Sequence, residues 1–130
     1  MKFLASVFPL VPIFISLMLL GCGSPQRTLQ SVEVSPATAT SAAQFTATGI
    51  YNTMPNDVDI TSTTTWCLGE NGGVCYGNNI NLPVQLNAGA ARCLQGATGT
   101  FAILAGPVSA NTPGMGPILK PYGVAQLTCP

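Results

Sequence analysis

The chain contains no histidine, and only four basic and four acidic side chains are spread over its 130 residues. Histidine is the side chain best suited to general acid–base work near neutral pH, so its absence removes the commonest proton shuttle and the commonest metal ligand. Charged residues make up 6% of the sequence, against roughly 25% in an average soluble domain. Such a chain has no basic stripe with which to displace counterions from phosphate, which excludes electrostatic binding to nucleic acid. It is also too apolar for a long disordered tail, which needs low hydrophobicity and high charge. No glycine-rich phosphate loop precedes a helical pattern, and no window beyond the first twenty residues has helical periodicity. The expectation is a protein that is not an enzyme and carries no cofactor.

What is present begins with an apolar leader. Lys2 is its lone charge, Phe3 to Leu20 is an uncharged and mostly apolar run, and Gly21-Cys22 closes it. A basic start, an apolar stretch and small residues at the cut describe an export signal. The tetrapeptide Leu19-Leu20-Gly21-Cys22 resembles the lipobox of bacterial lipoproteins, with leucine where alanine, serine or threonine is commoner at the second position. That resemblance implies cleavage before Cys22, a diacylglycerol on its sulfur and acylation of the new amino terminus. Two signals matter, because one acyl chain gives only marginal membrane binding. Ordinary secretion and a retained membrane helix are the competing readings. Eighteen apolar residues lie at the short end of what spans about 30 Å of hydrocarbon, and Pro9 and Pro12 would disturb that helix.

The cysteine count fits the leader. Of five cysteines, assigning Cys22 to lipid leaves Cys67, Cys75, Cys93 and Cys129. An even set in an oxidising compartment suggests two disulfides. A zinc site is the competing use of four thiolates, but spacings of 8, 18 and 36 residues contain no C-x2-C knuckle. The organisation that follows is a signal peptide at 1–21, a lipid-anchored polar tether at 22–30, and one folded domain at 31–130. The mature chain carries Arg27, Arg92 and Lys120 against Glu33, Asp57, Asp59 and Glu70. A chain of this size buries about 65% of its unfolded surface, enough for an independent core.

Period-two alternation runs through that domain. Val32 and Val34 alternate with Glu33 and Ser35, and Phe45, Ala47 and Gly49 with Gln44, Thr46 and Thr48. Ile60, Ser62, Thr64 and Trp66 are expected on one strand face, and Ile80, Leu82, Val84 and Leu86 on another. Phe101 and Ile103 alternate with Thr100, Ala102 and Leu104, and Ala125 and Leu127 with Val124, Gln126 and Thr128. Alternation with β-branched and aromatic enrichment is the signal of a half-buried strand. Pro83 lacks an amide hydrogen, which assigns its strand to an edge. Short strands separated by Gly, Pro, Asn and Ser imply an all-β fold, a β-sandwich, with a closed barrel as the alternative.

Three segments carry a more specific pattern: Leu29-Gln-Ser-Val-Glu-Val-Ser-Pro36, Ala43-Ala-Gln-Phe-Thr-Ala-Thr-Gly49 with Tyr51, and Asp59-Ile-Thr-Ser-Thr-Thr-Thr-Trp66. In this order they resemble the group 2 bacterial immunoglobulin-like domain, and 99–105 and 123–128 resemble its last two strands. The resemblance covers about two thirds of the mature chain. It implies an immunoglobulin-like sandwich of about seven strands, found in surface proteins and adhesins as spacer or binding module, with Trp66 in the core. The insert Cys67 to Cys75, the four cysteines and the Gly/Pro-rich segment 106–123 depart from the pattern. In such a sandwich Cys67, Cys93 and Cys129 gather at one end. This favours Cys93–Cys129 with a local Cys67–Cys75 staple, and leaves Cys67–Cys93 with Cys75–Cys129 open.

Two groups remain as candidate sites. Asp57 and Asp59, two apart in an extended segment, point the same way and could begin a calcium site, although calcium takes six to eight oxygens. The plainer reading is a polar turn with Asp59 capping the entry to the next strand. The insertion 106–123 contains four prolines together with Met115, Ile118, Leu119 and Tyr122. Long ordered loops are where rigid scaffolds display binding surface, while the same apolar side chains can equally fold back as cover. The expected function is non-catalytic: a lipid-anchored cell-envelope protein in adhesion, assembly or surface structure, on the outer membrane if the host has two. Its partners are the membrane through its anchor and another surface protein or glycan. The alternative is a ligand- or glycan-binding module on the cell surface.

Overall fold

A computed structural model describes residues 23–70, 73–76, 81–107 and 118–130. The leader and Cys22 lie outside the described residues. Every regular element among the described residues is a β-strand, in the order β1 (Leu29–Ser35), β2 (Thr38–Thr40), β3 (Ala42–Gln44), β4 (Thr46–Tyr51), β5 (Asp57–Asp59), β6 (Thr65–Glu70), β7 (Val74–Cys75), β8 (Val84–Asn87), β9 (Ala90–Cys93), β10 (Gly99–Gly106) and β11 (Gly123–Cys129). Among those residues no helix is long and apolar enough to cross a membrane.

The strands form two layers. One contains the sheets β1-β4-β5 and β3-β9-β8, which run into one another because β3 and β4 are a single extended segment broken only at Phe45. The second is the five-stranded sheet β2-β11-β10-β6-β7. The chain crosses between layers early. β1 pairs antiparallel with β4, and after Pro36 and Ala37 the next strand, β2, pairs parallel with the end of β11.

Alternation decides which side chains meet between the layers. Val32 and Val34 of β1, Ala47 of β4, Val84 of β8 and Ala91 of β9 pack with Leu68 of β6, Ile103 and Ala105 of β10, and Ala125 and Leu127 of β11. Phe45 is fully enclosed among them, and its amide donates to Gly89 O at 2.8 Å. Each Val, Leu, Ile or Phe side chain withdrawn from water contributes about 1.5–3 kcal/mol, and each alanine less, before the entropy of ordering is counted.

Strand β10 is buried on both faces from Ala102 to Gly106. Ile103 and Ala105 belong to the interlayer core, whereas Ala102, Leu104 and Gly106 point the other way and are buried as well. Their cover is the β6–β7 hairpin and the segment entering β11. Leu104 Cδ1 lies 2.7 Å from where a Cβ on Gly69 would be, and Ile118 Cδ1 lies 3.2 Å from the equivalent point on Gly106.

Several sequence expectations are corrected in detail. Eleven strand segments replace about seven, since β2, β3, β5, β7 and β9 are too short for alternation to register. The strand expected from Ile60 begins only at Thr65, because the amides of Thr63 and Thr64 both donate to Ile60 O, at 3.0 and 2.9 Å, and close a turn. Strand β8 starts at Val84, after Pro83, and lies at a sheet edge; Ile80 is outside the described residues.

Candidate functional site

Four of the expected site residues are covalently paired. Cys67 and Cys75 form one disulfide with Cα atoms 5.6 Å apart, and Cys93 and Cys129 form the other at 5.7 Å. The first staples the β6–β7 hairpin within one sheet. The second joins β9 in one layer to β11 in the other, so it closes one end of the two-layer stack. Ser41 reinforces that end: its amide donates to Thr128 O at 2.9 Å while its carbonyl accepts from the Cys93 amide at 2.8 Å. The bridges thus act at different levels, one holding a hairpin and the other holding the layers together.

The insertion leaves and returns at the opposite end. Its entry, Pro107, and its exit, Ile118 to Tyr122, are described, while Met115 lies outside the described residues. Ile118 is only 5% exposed, and its amide donates to Gly73 O at 2.9 Å. The Tyr122 ring is half-buried and lies 2.6 Å from where a Cβ on Gly73 would be; Gly73 also has φ of +80°. Only glycine satisfies both demands there. Ile118 and Tyr122 therefore cover the outer face of β10. Leu119, 44% exposed, points to solvent although its amide donates to Pro107 O at 3.1 Å. An open groove of about 630 Å³ lies between this exit segment and β1, lined by Gln30, Ser31, Lys120, Pro121, Tyr122 and Val124.

The polar tether is shorter and more tightly held than its composition suggests. Strand β1 begins at Leu29, and the residues before it are bonded to the turn between β4 and β5. Asn52 Oδ1 accepts from the Thr28 amide at 2.8 Å, and Asn52 Nδ2 donates to Gln26 O at 3.2 Å. Arg27 donates from Nη2 to Pro55 O at 2.7 Å and stacks its guanidinium 4.1 Å above the Tyr51 ring. A cation over an aromatic face is worth about 0.5–1 kcal/mol at an exposed site. Sequence reasoning missed this clasp, because its signal is one arginine and one asparagine with partners 24 to 28 residues away.

Asp57 and Asp59 lie exposed on β5. The Asp59 carboxylate is already engaged: it accepts from the Thr61 amide at 2.8 Å. The Thr61 hydroxyl and then this amide hold its carboxyl below the usual carboxylate range, against a smaller desolvation effect. The same hydroxyl accepts from the Ala47 amide at 2.9 Å, so Asp59 fixes the turn that leads into β6. Among the described residues no three histidine, cysteine, aspartate or glutamate side chains converge on a common point. Trp66, the second residue of β6 after this turn, packs against the interlayer core and donates from Nε1 to Thr61 O at 2.9 Å. Comparison with protein-family models and with curated proteins finds no match to this chain.

Proposed function

We propose that the protein is a non-catalytic, lipid-anchored component of a bacterial cell envelope, whose immunoglobulin-like domain serves adhesion, assembly or surface structure. The observation that carries this reading is the cysteine pairing. Two bridges take up Cys67, Cys75, Cys93 and Cys129 among themselves, which leaves Cys22 to chemistry other than pairing within the chain. It stands at the end of the apolar leader, in the sequence Leu-Leu-Gly-Cys. The two bridges also suit an oxidising compartment.

Strand order supports the immunoglobulin-like part of the reading. In that fold one sheet runs A-B-E-D and the other contains G-F-C. Here β1, the β3–β4 segment, β9 and β8 follow the first order, and β11, β10 and β6 follow the second. The bridge between layers departs from the antibody pattern, joining the E and G positions in place of B and F. Gly23 after the anchor, where aspartate would favour inner-membrane retention, points to the outer membrane in a host that has one.

Detergent phase partitioning of the full chain expressed in a bacterial host tests the anchor. The wild-type protein is expected in the detergent phase and Cys22→Ser in the aqueous phase. Equal membrane retention of the two would replace the anchor with a spanning helix.

A further inference from the structure

We propose that the end of the domain formed by Arg27, Tyr51, the 52–56 turn and the Leu119–Lys120 corner is a contact surface for the bilayer, so that the molecule stands with its Cys93–Cys129 end pointing away from the membrane. The proposal rests on Cys22 being the lipid anchor and adds an orientation that an anchor alone does not specify.

Chain length carries the argument. Gln26 is fixed to the fold through Asn52, and four residue steps separate it from Cys22. At full extension these span at most ~14 Å. The acylated sulfur belongs at the boundary of the hydrocarbon, beneath a headgroup layer of about 5–8 Å. The clasp therefore cannot rise far above the headgroups, and because it is bonded to Asn52 and Pro55 the whole β4–β5 turn comes with it. The opposite end of β1, at Ser35, lies roughly 20 Å further along the strand, and the interlayer bridge lies beyond it.

The side chains at the held end suit that position. Met54 is 83% exposed, a large apolar side chain on a turn tip where water gains nothing from it. Leu119 is exposed near the same end, since its neighbour Lys120 shares a groove with Gln30 and Ser31 of β1. Two of the mature chain's three cations, Arg27 and Lys120, lie here, while Arg92 lies on β9 and is bonded to Gln85. Asp57 and Asp59 are on the adjacent strand, so this end has no surplus charge with which to select anionic lipid. A zwitterionic surface, met by Met54 and Leu119, is the partner that fits.

The test uses acylated full-length protein on phosphatidylcholine vesicles whose acyl chains are brominated, a quencher of tryptophan. Three proteins are compared: wild type with Trp66 alone, Met54→Trp, and Leu94→Trp, which places the reporter beside Cys93 at the far end. Co-sedimentation with the vesicles is measured first. The expected result is that all three sediment and that Met54→Trp is quenched about twofold or more relative to Leu94→Trp. Sedimentation with equal quenching would overturn the orientation and leave the anchor standing. Failure to sediment would overturn both.

Discussion

Thr61 does three jobs within a few ångströms. Its amide and hydroxyl hold the Asp59 carboxylate, its hydroxyl also accepts from the buried Ala47 amide, and its carbonyl accepts from Trp66. Removing the hydroxyl strands the amide of a residue with no exposed surface, and a buried donor without a partner costs about 1–3 kcal/mol. Thr61→Ala is therefore expected to lower stability by about that amount in a denaturant titration. It should also return the Asp59 pKa part of the way toward its ordinary value of 3.8, as followed by carboxyl-carbon NMR. The sign on stability follows from linkage. A carboxyl depressed in the folded state stabilises in full above its unfolded pKa, and that contribution is lost as pH falls through the folded value. Acid sensitivity from this group thus lies below pH 3.8, and Thr61→Ala should weaken it.

At the scale of elements, the two bridges differ in the loop each one closes. Cys67–Cys75 spans 8 residues and Cys93–Cys129 spans 36, and the chain-entropy model gives the longer loop an advantage of about 1.3 kcal/mol. The Cys93→Ala/Cys129→Ala pair is expected to lose about 2–5 kcal/mol in urea unfolding, and Cys67→Ala/Cys75→Ala less. The reverse order would mean that the hairpin, with its contacts to Ile118 and Tyr122, matters more than the link between layers. Legibility in the sequence follows the same physics. The strands of six or more residues that face one core, β1, β4 and β11, were plain from period two, and so was the all-β class. β10 announced only its existence: both of its faces are apolar because the hairpin and the insertion's exit cover the second one, and alternation cannot foresee a cover brought from elsewhere. β2, β3, β5, β7 and β9 hold too few side chains to show a period. The arginine clasp and the end at which the insertion sits depend on partners far apart in sequence, which no local pattern encodes.

At the scale of the whole molecule, the domain has two unlike ends. One is closed by a covalent bridge between layers and carries no described part of the insertion. The other gathers the tether, the exposed Met54 and the exit of the insertion within a short chain length of Cys22. On the orientation proposed above, a partner on another surface would meet the bridged end first, and the insertion, read from sequence as a candidate recognition loop, leaves and returns on the side proposed to face the membrane. The most direct test of this account is the intact mass of the protein extracted from membranes of cells expressing the full chain, under non-reducing conditions with a thiol-alkylating reagent. The account predicts a chain beginning at Cys22, heavier than the polypeptide by a diacylglycerol and an amide-linked acyl group, with no alkylated cysteine. A full-length chain with an unmodified leader, or an alkylated thiol at Cys67, Cys75, Cys93 or Cys129, would contradict it.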